Sequence, residues 1–120
     1  MAKILVIEDN PANLKLAEFL LRKAGHEVLK AEDAPAGIEL AKSVQLDLVL
    51  MDVQLPGMDG LEATRLLKSE PATRAVKVIA LTAFAMKGDE EKMLAAGCDG
   101  YLAKPYQYQQ LLDAVRAVLS

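Results

Sequence analysis

The chain reads as an α/β domain: a doubly wound, five-stranded parallel sheet with five helices. Three observations predict it. Five short apolar runs bounded by polar turns alternate strictly with five segments of helical periodicity, and strict alternation places helices on both faces of a parallel sheet. The runs are nearly continuous, as in Ile4-Leu5-Val6-Ile7 and Leu48-Val49-Leu50-Met51, which suits strands buried on both sides. The connections are short, as right-handed βαβ units require.

In chain order, the first apolar run sets a strand at Lys3–Ile7. Pro11–Ala24 follows as a helix whose Leu16, Ala17, Leu20, Leu21 and Ala24 share one face of a wheel at about 100° per residue, with Gly25 as its C-cap. Phe19 points away from that face and is a candidate partner contact, the more so if Leu14 and Ala12 are exposed beside it. Glu27–Lys30 is the second strand. Asp33 is placed to N-cap a helix at Pro35–Ser43. Asp47–Met51 is the third strand, and Asp59 can cap the helix Leu61–Glu70. Lys77–Leu81 is the fourth strand, followed by the helix Lys87–Ala96 with Gly97 at its C-cap. Gly100–Ala103 is the last strand and Tyr108–Leu119 the last helix. No internal repeat or low-complexity segment interrupts this pattern.

Composition bounds the function. At 120 residues, 52% hydrophobic and 26% charged, the chain suits one ordinary folded domain spanning residues 1–120, not a disordered segment. A net charge of −3, with no basic stripe and no tryptophan, argues against direct nucleic-acid binding, which draws on phosphate neutralisation. No apolar stretch approaches the roughly 18 residues of a membrane span, and Met1-Ala2-Lys3 runs straight into the first strand, so the expectation is a cytoplasmic protein with no membrane contact. The single cysteine, Cys98, is expected to be a small buried residue. The single histidine, His26, sits at the start of the second strand and reads as structural. Met51, Met58, Met86 and Met93 read as core or edge filling. Nothing resembling a linker or second domain follows Ser120, so a stand-alone monomer is expected.

The chemistry lies where the apolar runs end. Glu8 and Asp9 leave the first strand, Asp52 the third, Thr82 the fourth and Lys104 the fifth. In an open α/β sheet, ligands bind outside the carboxyl ends of the strands. Charge placed just past a buried strand is expected to cost little there, because that edge opens to solvent. Three carboxylates in one crevice repel and raise one another's pKa values; a hard divalent cation such as Mg²⁺ relieves that. Lys104 adds a positive charge on a flexible stem, and Thr82 a hydroxyl. A carboxylate can act as a nucleophile toward phosphorus, and Asp52 is the central candidate.

These residues carry a resemblance. The segments Val6-Ile7-Glu8-Asp9-Asn10, Met51-Asp52-Val53-Gln54-Leu55-Pro56-Gly57-Met58-Asp59-Gly60, Leu81-Thr82-Ala83 and Gly100-Tyr101-Leu102-Ala103-Lys104-Pro105 resemble, in order and spacing, the receiver domains of two-component response regulators. The stretch from Thr82 to Glu91 looks especially like single-domain receivers of the DivK type and the receivers of hybrid kinases. The resemblance implies a flavodoxin-like receiver fold with strand order 2-1-3-4-5. It implies that Asp52 accepts a phosphoryl group from a phosphohistidine on a histidine kinase or histidine phosphotransfer protein. Glu8, Asp9, Asp52 and the backbone carbonyl of Gln54 are implied to hold Mg²⁺ (or Mn²⁺), and Thr82 and Lys104 to bind phosphoryl oxygens. Tyr101 is implied as a switch aromatic that turns inward with Thr82, and Lys104-Pro105 as a cis bond, which suits the rule that cis bonds belong to X-Pro. The fourth helix, fifth strand and fifth helix, with Tyr101, Tyr106 and Tyr108, are the expected output face. On this reading the chain is no enzyme in the ordinary sense, catalysing only its own phosphorylation and dephosphorylation.

Other readings fit less well. A haloacid dehalogenase-type hydrolase usually carries a second aspartate two residues after its nucleophile, where this chain has Gln54. A flavodoxin-like cofactor carrier needs a Gly- or Ser/Thr-rich phosphate loop after the first strand, where Glu8-Asp9 would repel the phosphate. A receiver excised from a longer hybrid kinase stays open. In receivers, the positions of Gln54 and Phe84 flank the path of hydrolytic water. A bulky apolar Phe84 is expected to exclude that water and slow phosphoryl loss. Phe84→Asp should therefore shorten the phosphoryl lifetime in a chase of labelled protein; an unchanged lifetime would remove Phe84 from that role.

Overall fold

The computed structural model describes residues 2–83 and 87–120. Five strands, β1 (Lys3–Ile7), β2 (Glu27–Ala31), β3 (Leu48–Asp52), β4 (Lys77–Thr82) and β5 (Gly100–Ala103), alternate with five helices. The helices are α1 (Pro11–Lys23), α2 (Ala34–Ser43), α3 (Gly60–Ser69), α4 (Lys87–Ala95) and α5 (Tyr108–Leu119). All four pairings are parallel and the order is β2-β1-β3-β4-β5, as expected.

The sheet divides the core in two, because successive strand residues point to opposite faces. Leu5, Ile7, Val49, Met51, Val78 and Ala80 pack with Ala34, Ile38, Ala63, Leu67 and Met93 of α2, α3 and α4. Ile4, Val6, Leu48, Leu50, Ile79 and Leu81 pack with Leu14, Ala17, Leu21, Leu111 and Val115 of α1 and α5. This two-sided burial explains why the strand sequences read as continuous apolar runs.

Local chemistry sets the ends. Asp33 Oδ1 accepts from Ala36 N at 2.8 Å, and Asp59 Oδ1 accepts from Leu61 N and Glu62 N, both at 2.9 Å. Gly25 and Gly97, with φ of 95° and 104°, take the left-handed conformation that closes α1 and α4. His26 Nδ1 accepts from Ala2 N at 3.1 Å, a structural task at the start of β2. Cys98 is buried, Met51 and Met93 lie in the core, and Met58 packs against its edge.

Two expectations change. Asp52 and Thr82 are the last residues of β3 and β4, not the first residues beyond them. The pairing runs one step further than hydrophobicity indicates, through Asp52 opposite Leu81 and Thr82 opposite Ala103. The buried stripe of α1 is also rotated. Leu14, Ala17 and Leu21 are buried, while Leu16 is 49% and Phe19 63% exposed. Apolar residues occupy so much of this helix that its periodicity admits either stripe. Packing against Ile4, Val6 and Leu111 decides it. Phe19 therefore stands out beside Leu16, and not beside Leu14.

Candidate functional site

The crevice forms where β1, β3 and β5 end on the same edge. Glu8 follows β1, and its backbone N–H still donates to Ala31 O at 3.1 Å, so the carboxylate is held at the sheet. Asp52 is fixed by strand pairing and by Gln54 N, which donates to Asp52 Oδ1 at 3.0 Å. Val53 N donates to Leu81 O at 2.9 Å and Lys104 N to Thr82 O at 2.7 Å, so the ends of β3, β4 and β5 are tied in sequence across the sheet. The Lys104-Pro105 bond is cis. Asn10, not singled out from the sequence, accepts at Oδ1 from Ala12 N and Asn13 N at 2.9 and 3.1 Å. It caps α1 directly after the acidic pair; an Asn followed by Pro at the first helical position was the available signal.

Lys104 is the centre of charge. Its Nζ donates to Glu8 Oε1 at 2.7 Å and to Asp52 Oδ2 at 3.1 Å. Both carboxylates are buried, with Glu8 2% and Asp52 4% exposed. The strand edge is therefore not the solvent-open place where charge costs little. Burying an ion costs several kcal/mol unless it is paired, and Lys104 is that pair. Asp9, by contrast, is exposed. One carboxylate oxygen each from Glu8, Asp9 and Asp52 lies within 4.8 Å of the others.

The charge balance shows in the proton affinities. Burial, joined by the neighbouring Asp52, pushes Glu8 up from 4.5 to about 7 against the pull of Lys104. Burial alone would lower the Lys104 pKa; Glu8 and Asp52 outweigh it and raise it. Glu8 Oε2 is buried and has no hydrogen-bond partner among the described residues. A crowded acidic group with one oxygen unused fits a hard cation taking oxygen ligands.

Thr82 is buried at the end of β4. With Val53, Gln54, Leu61, Asp89, Lys92 and Met93 it lines a cavity of about 160 Å³ leading toward α4. On the other flank, Asn13, Leu16, Ala83, Lys104, Pro105 and Tyr106 line a groove of about 340 Å³. The structure thus brings Glu8, Asp9, Asp52 and Lys104 together, with Thr82 on the intervening strand. The three tyrosines have different surroundings. Tyr101 is exposed on β5. Tyr106 packs toward the α1–α5 core. Tyr108 lies under Lys23 Nζ, 5.0 Å from the ring centre. Phe84 lies outside the described residues.

A parallel sheet of this order, with three carboxylates and a lysine converging at its carboxyl edge, matches the response regulator receiver domain model over residues 4–116. The chain belongs to the response regulator receiver domain family. It is similar to the polar-differentiation response regulator DivK of Brucella anthropi, with 39% identity over 116 residues, 97% of this chain and 94% of DivK. It is also similar to the receiver domain of a Pseudomonas aeruginosa sensor histidine kinase, solved with a magnesium ion coordinated in its active site cleft. There the identity is 38% and the TM-score 0.91, covering 98% of this receiver and 97% of that one. The chemotaxis protein CheY4 of Vibrio cholerae superposes with a TM-score of 0.95 at 27% identity, covering 99% of each chain. No helix among the described residues of the receiver is long and apolar enough to cross a membrane.

The raised Glu8 value has a signed consequence in the absence of divalent metal. Between pH 4.5 and about 7 the folded receiver holds a proton on Glu8 that the unfolded chain has released. The folded state then binds more protons than the unfolded one, so the Glu8 contribution to stability falls as pH rises through that window and is level outside it. Glu8→Gln should remove this fall. In urea unfolding with chelator present, the midpoint of the variant should gain on that of the parent from pH 4.5 to 7. A difference that stays flat would show that Glu8 titrates normally.

Proposed function

We propose that this receiver takes a phosphoryl group from a phosphohistidine onto Asp52 and thereby switches a protein-binding surface. The observation that carries the proposal is Lys104 Nζ bridging buried Glu8 and Asp52 at 2.7 and 3.1 Å. It holds the acceptor carboxylate in place beside a Glu8 oxygen left without a hydrogen-bond partner among the described residues. Glu8, Asp9, Asp52 and the Gln54 carbonyl are the residues that would hold Mg²⁺ or Mn²⁺. The metal would supply charge neutralisation at the acceptor and the transferring phosphoryl oxygens.

The chain's own residues do the rest by positioning. An Asp52 carboxylate oxygen attacks phosphorus in line. The P–N bond to the donor imidazole breaks, its electron pair stays on the ring nitrogen, and the product is an acyl phosphate on Asp52. Lys104 then has a phosphoryl oxygen to bind in place of the free carboxylate, and the Thr82 hydroxyl can donate to another. In dephosphorylation water attacks phosphorus, the P–O bond to Asp52 breaks with its electron pair returning to the carboxylate, and inorganic phosphate leaves, so the receiver acts on itself. Tyr101, exposed on β5 two residues before the Thr82-paired Ala103, is the side chain we assign to reporting the change outward.

The donor is a histidine kinase or histidine phosphotransfer protein. Its histidine must approach Asp52 from outside the sheet edge, where Lys104 opens into the groove lined by Leu16, Pro105 and Tyr106. Exposed Leu16 and Phe19 extend that groove along α1, between Lys15 and Arg22. An apolar stripe continuous with the reacting centre fits a helical partner carrying the histidine on its own surface.

Incubation with candidate kinases, Mg²⁺ and labelled ATP tests the transfer. Label should pass to the parent and not to Asp52→Ala; label on both proteins would place the acceptor elsewhere. The docking face has its own test. Leu16→Asp with Phe19→Asp should slow transfer from the partner by about tenfold or more, the effect of losing an interface hot spot, while leaving phosphorylation by acetyl phosphate within about twofold. Equal slowing from both donors would place the defect in the crevice and not at the interface.

A further inference from the structure

We infer that Gly60 is a positioning residue for the acceptor, required to lack a side chain because α3 rests its first residue on the backbone of Asp52. A Cβ at Gly60 would stand 2.1 Å from Asp52 O and 2.9 Å from both Asp52 C and Val53 Cα. These are backbone atoms in and just after a fully paired central strand, with no flexible end to swing aside. The contact is also fastened. Gly60 N donates to Val53 O at 2.9 Å. One turn on, the fully buried Thr64 donates from Oγ1 to Gly60 O at 2.8 Å. Asp59 caps the same turn through Leu61 N and Glu62 N.

The acceptor is therefore clamped from two directions. From the sheet, Val53 N is held by Leu81 O at 2.9 Å and Asp52 Oδ1 by Gln54 N at 3.0 Å. From behind, the start of α3 fixes the peptide that joins Asp52 to Val53. Tilting that peptide would swing the carboxylate away from Lys104 and turn Val53 and Gln54 with it. A misplacement of about 1 Å can cost on the order of a hundredfold in rate. The fold contains its own control. Gly37 in α2 is equally tight, but its Cβ would meet Ile7 Cδ1 at 2.2 Å and Cγ1 at 2.7 Å, atoms of a side chain and not of the backbone. Both glycines pack a helix on the sheet; only Gly60 bears on the acceptor's backbone.

The inference rests on the receiver reading for the reaction it serves, but its geometry is measurable without turnover. The full chain, Gly60→Ala and Gly37→Ala are compared by Mg²⁺ titration, by the chemical shift and exchange of the Gln54 amide, and by the rate of phosphorylation with acetyl phosphate. Gly60→Ala, folded and below its melting transition, should bind Mg²⁺ about tenfold or more weakly, show a displaced Gln54 amide, and accept phosphate about tenfold or more slowly. Gly37→Ala should stay within about threefold on each count, whatever its loss of stability. A folded Gly60→Ala that matches the parent, or a Gly37→Ala that loses as much, overturns the inference. If Gly60→Ala does not fold, Thr64→Val removes the side-chain bond to the Gly60 carbonyl without adding bulk. It should weaken Mg²⁺ binding by about threefold and shift the Gln54 amide; a parent-like Thr64→Val overturns the inference. A parent that binds Mg²⁺ yet takes no phosphoryl group removes the receiver chemistry, and the metal and amide measurements then judge Gly60 alone.

Discussion

The rest of the site depends on one bridge, the Lys104 ammonium shared between two buried carboxylates. Sheet order explains why a lysine makes it. With β4 and β3 between β5 and β1, the ends of β5 and β1 stand about 14 Å apart at the usual strand spacing. Only a long, flexible side chain leaving β5 can reach Glu8 beyond β1 and Asp52 on β3. The bridge leaves the crevice under-neutralised: one cation faces Glu8, Asp52 and the exposed Asp9. Burial first, and the Asp52 carboxylate second, lift the Glu8 proton affinity against the pull of Lys104, and the unbalanced charge makes the crevice receptive to a second cation. An apolar replacement would be cheaper to bury, so the charges answer to chemistry and not to stability.

The scaffold keeps this unfavourable charge in place by rigid means. The carboxyl ends of β3, β4 and β5 are tied through Val53 N to Leu81 O and Lys104 N to Thr82 O. Each bond joins a site residue, or its neighbour, to the adjacent strand. Helix ends complete the frame. Asn10 fixes the start of α1 beside Glu8 and Asp9, and Asp59 fixes the start of α3 beside Asp52. At both places a side-chain cap sits within a few residues of an acid of the crevice. The capping bonds that begin the helices thus also limit how far the acids can move.

Much of this was legible in the sequence because the signals were local. Apolar runs, Asp33 and Asp59 before helices, and Gly25 and Gly97 after them are each read within a few residues. The polarity of a parallel sheet then carried Glu8, Asp52 and Lys104 to a common edge. What the sequence obscured depends on contacts between distant segments. The burial of Glu8 and Asp52 comes from neighbouring strands and loops, so solvent at the strand edge was a poor guide. The buried stripe of α1 was ambiguous because Leu14, Leu16, Phe19 and Leu20 offer apolar side chains on several faces, and the sheet chooses among them. Tyrosines close in sequence have different surroundings because Tyr101 lies on a strand, Tyr106 in the connection after it, and Tyr108 opens a helix.

The division of the core bears on how one crevice can serve both input and output. The sheet separates α1 and α5 from α2, α3 and α4, and the crevice opens over its edge to both sides. On one flank Lys104 borders the groove with Leu16 and Tyr106; on the other, Thr82 borders the cavity that reaches Asp89, Lys92 and Met93 of α4. A donor seated on the α1 flank leaves the α4 flank uncovered. Under the proposed function, phosphorylation would change the charge at Asp52 by about one unit and add acceptor oxygens. Shifting a two-state equilibrium from 1:99 to 99:1 requires about 5.5 kcal/mol of differential binding. Charge-assisted bonds of about 1.5–3 kcal/mol each, made by Lys104 and Thr82 to one phosphoryl group, are of that order together and of too small a size singly. Under the proposed function the switch would therefore draw on both residues. Since Thr82 ends β4 and Lys104 directly follows the adjacent β5, the proposed rearrangement would pass through the β4–β5 pair, where Tyr101 is already exposed.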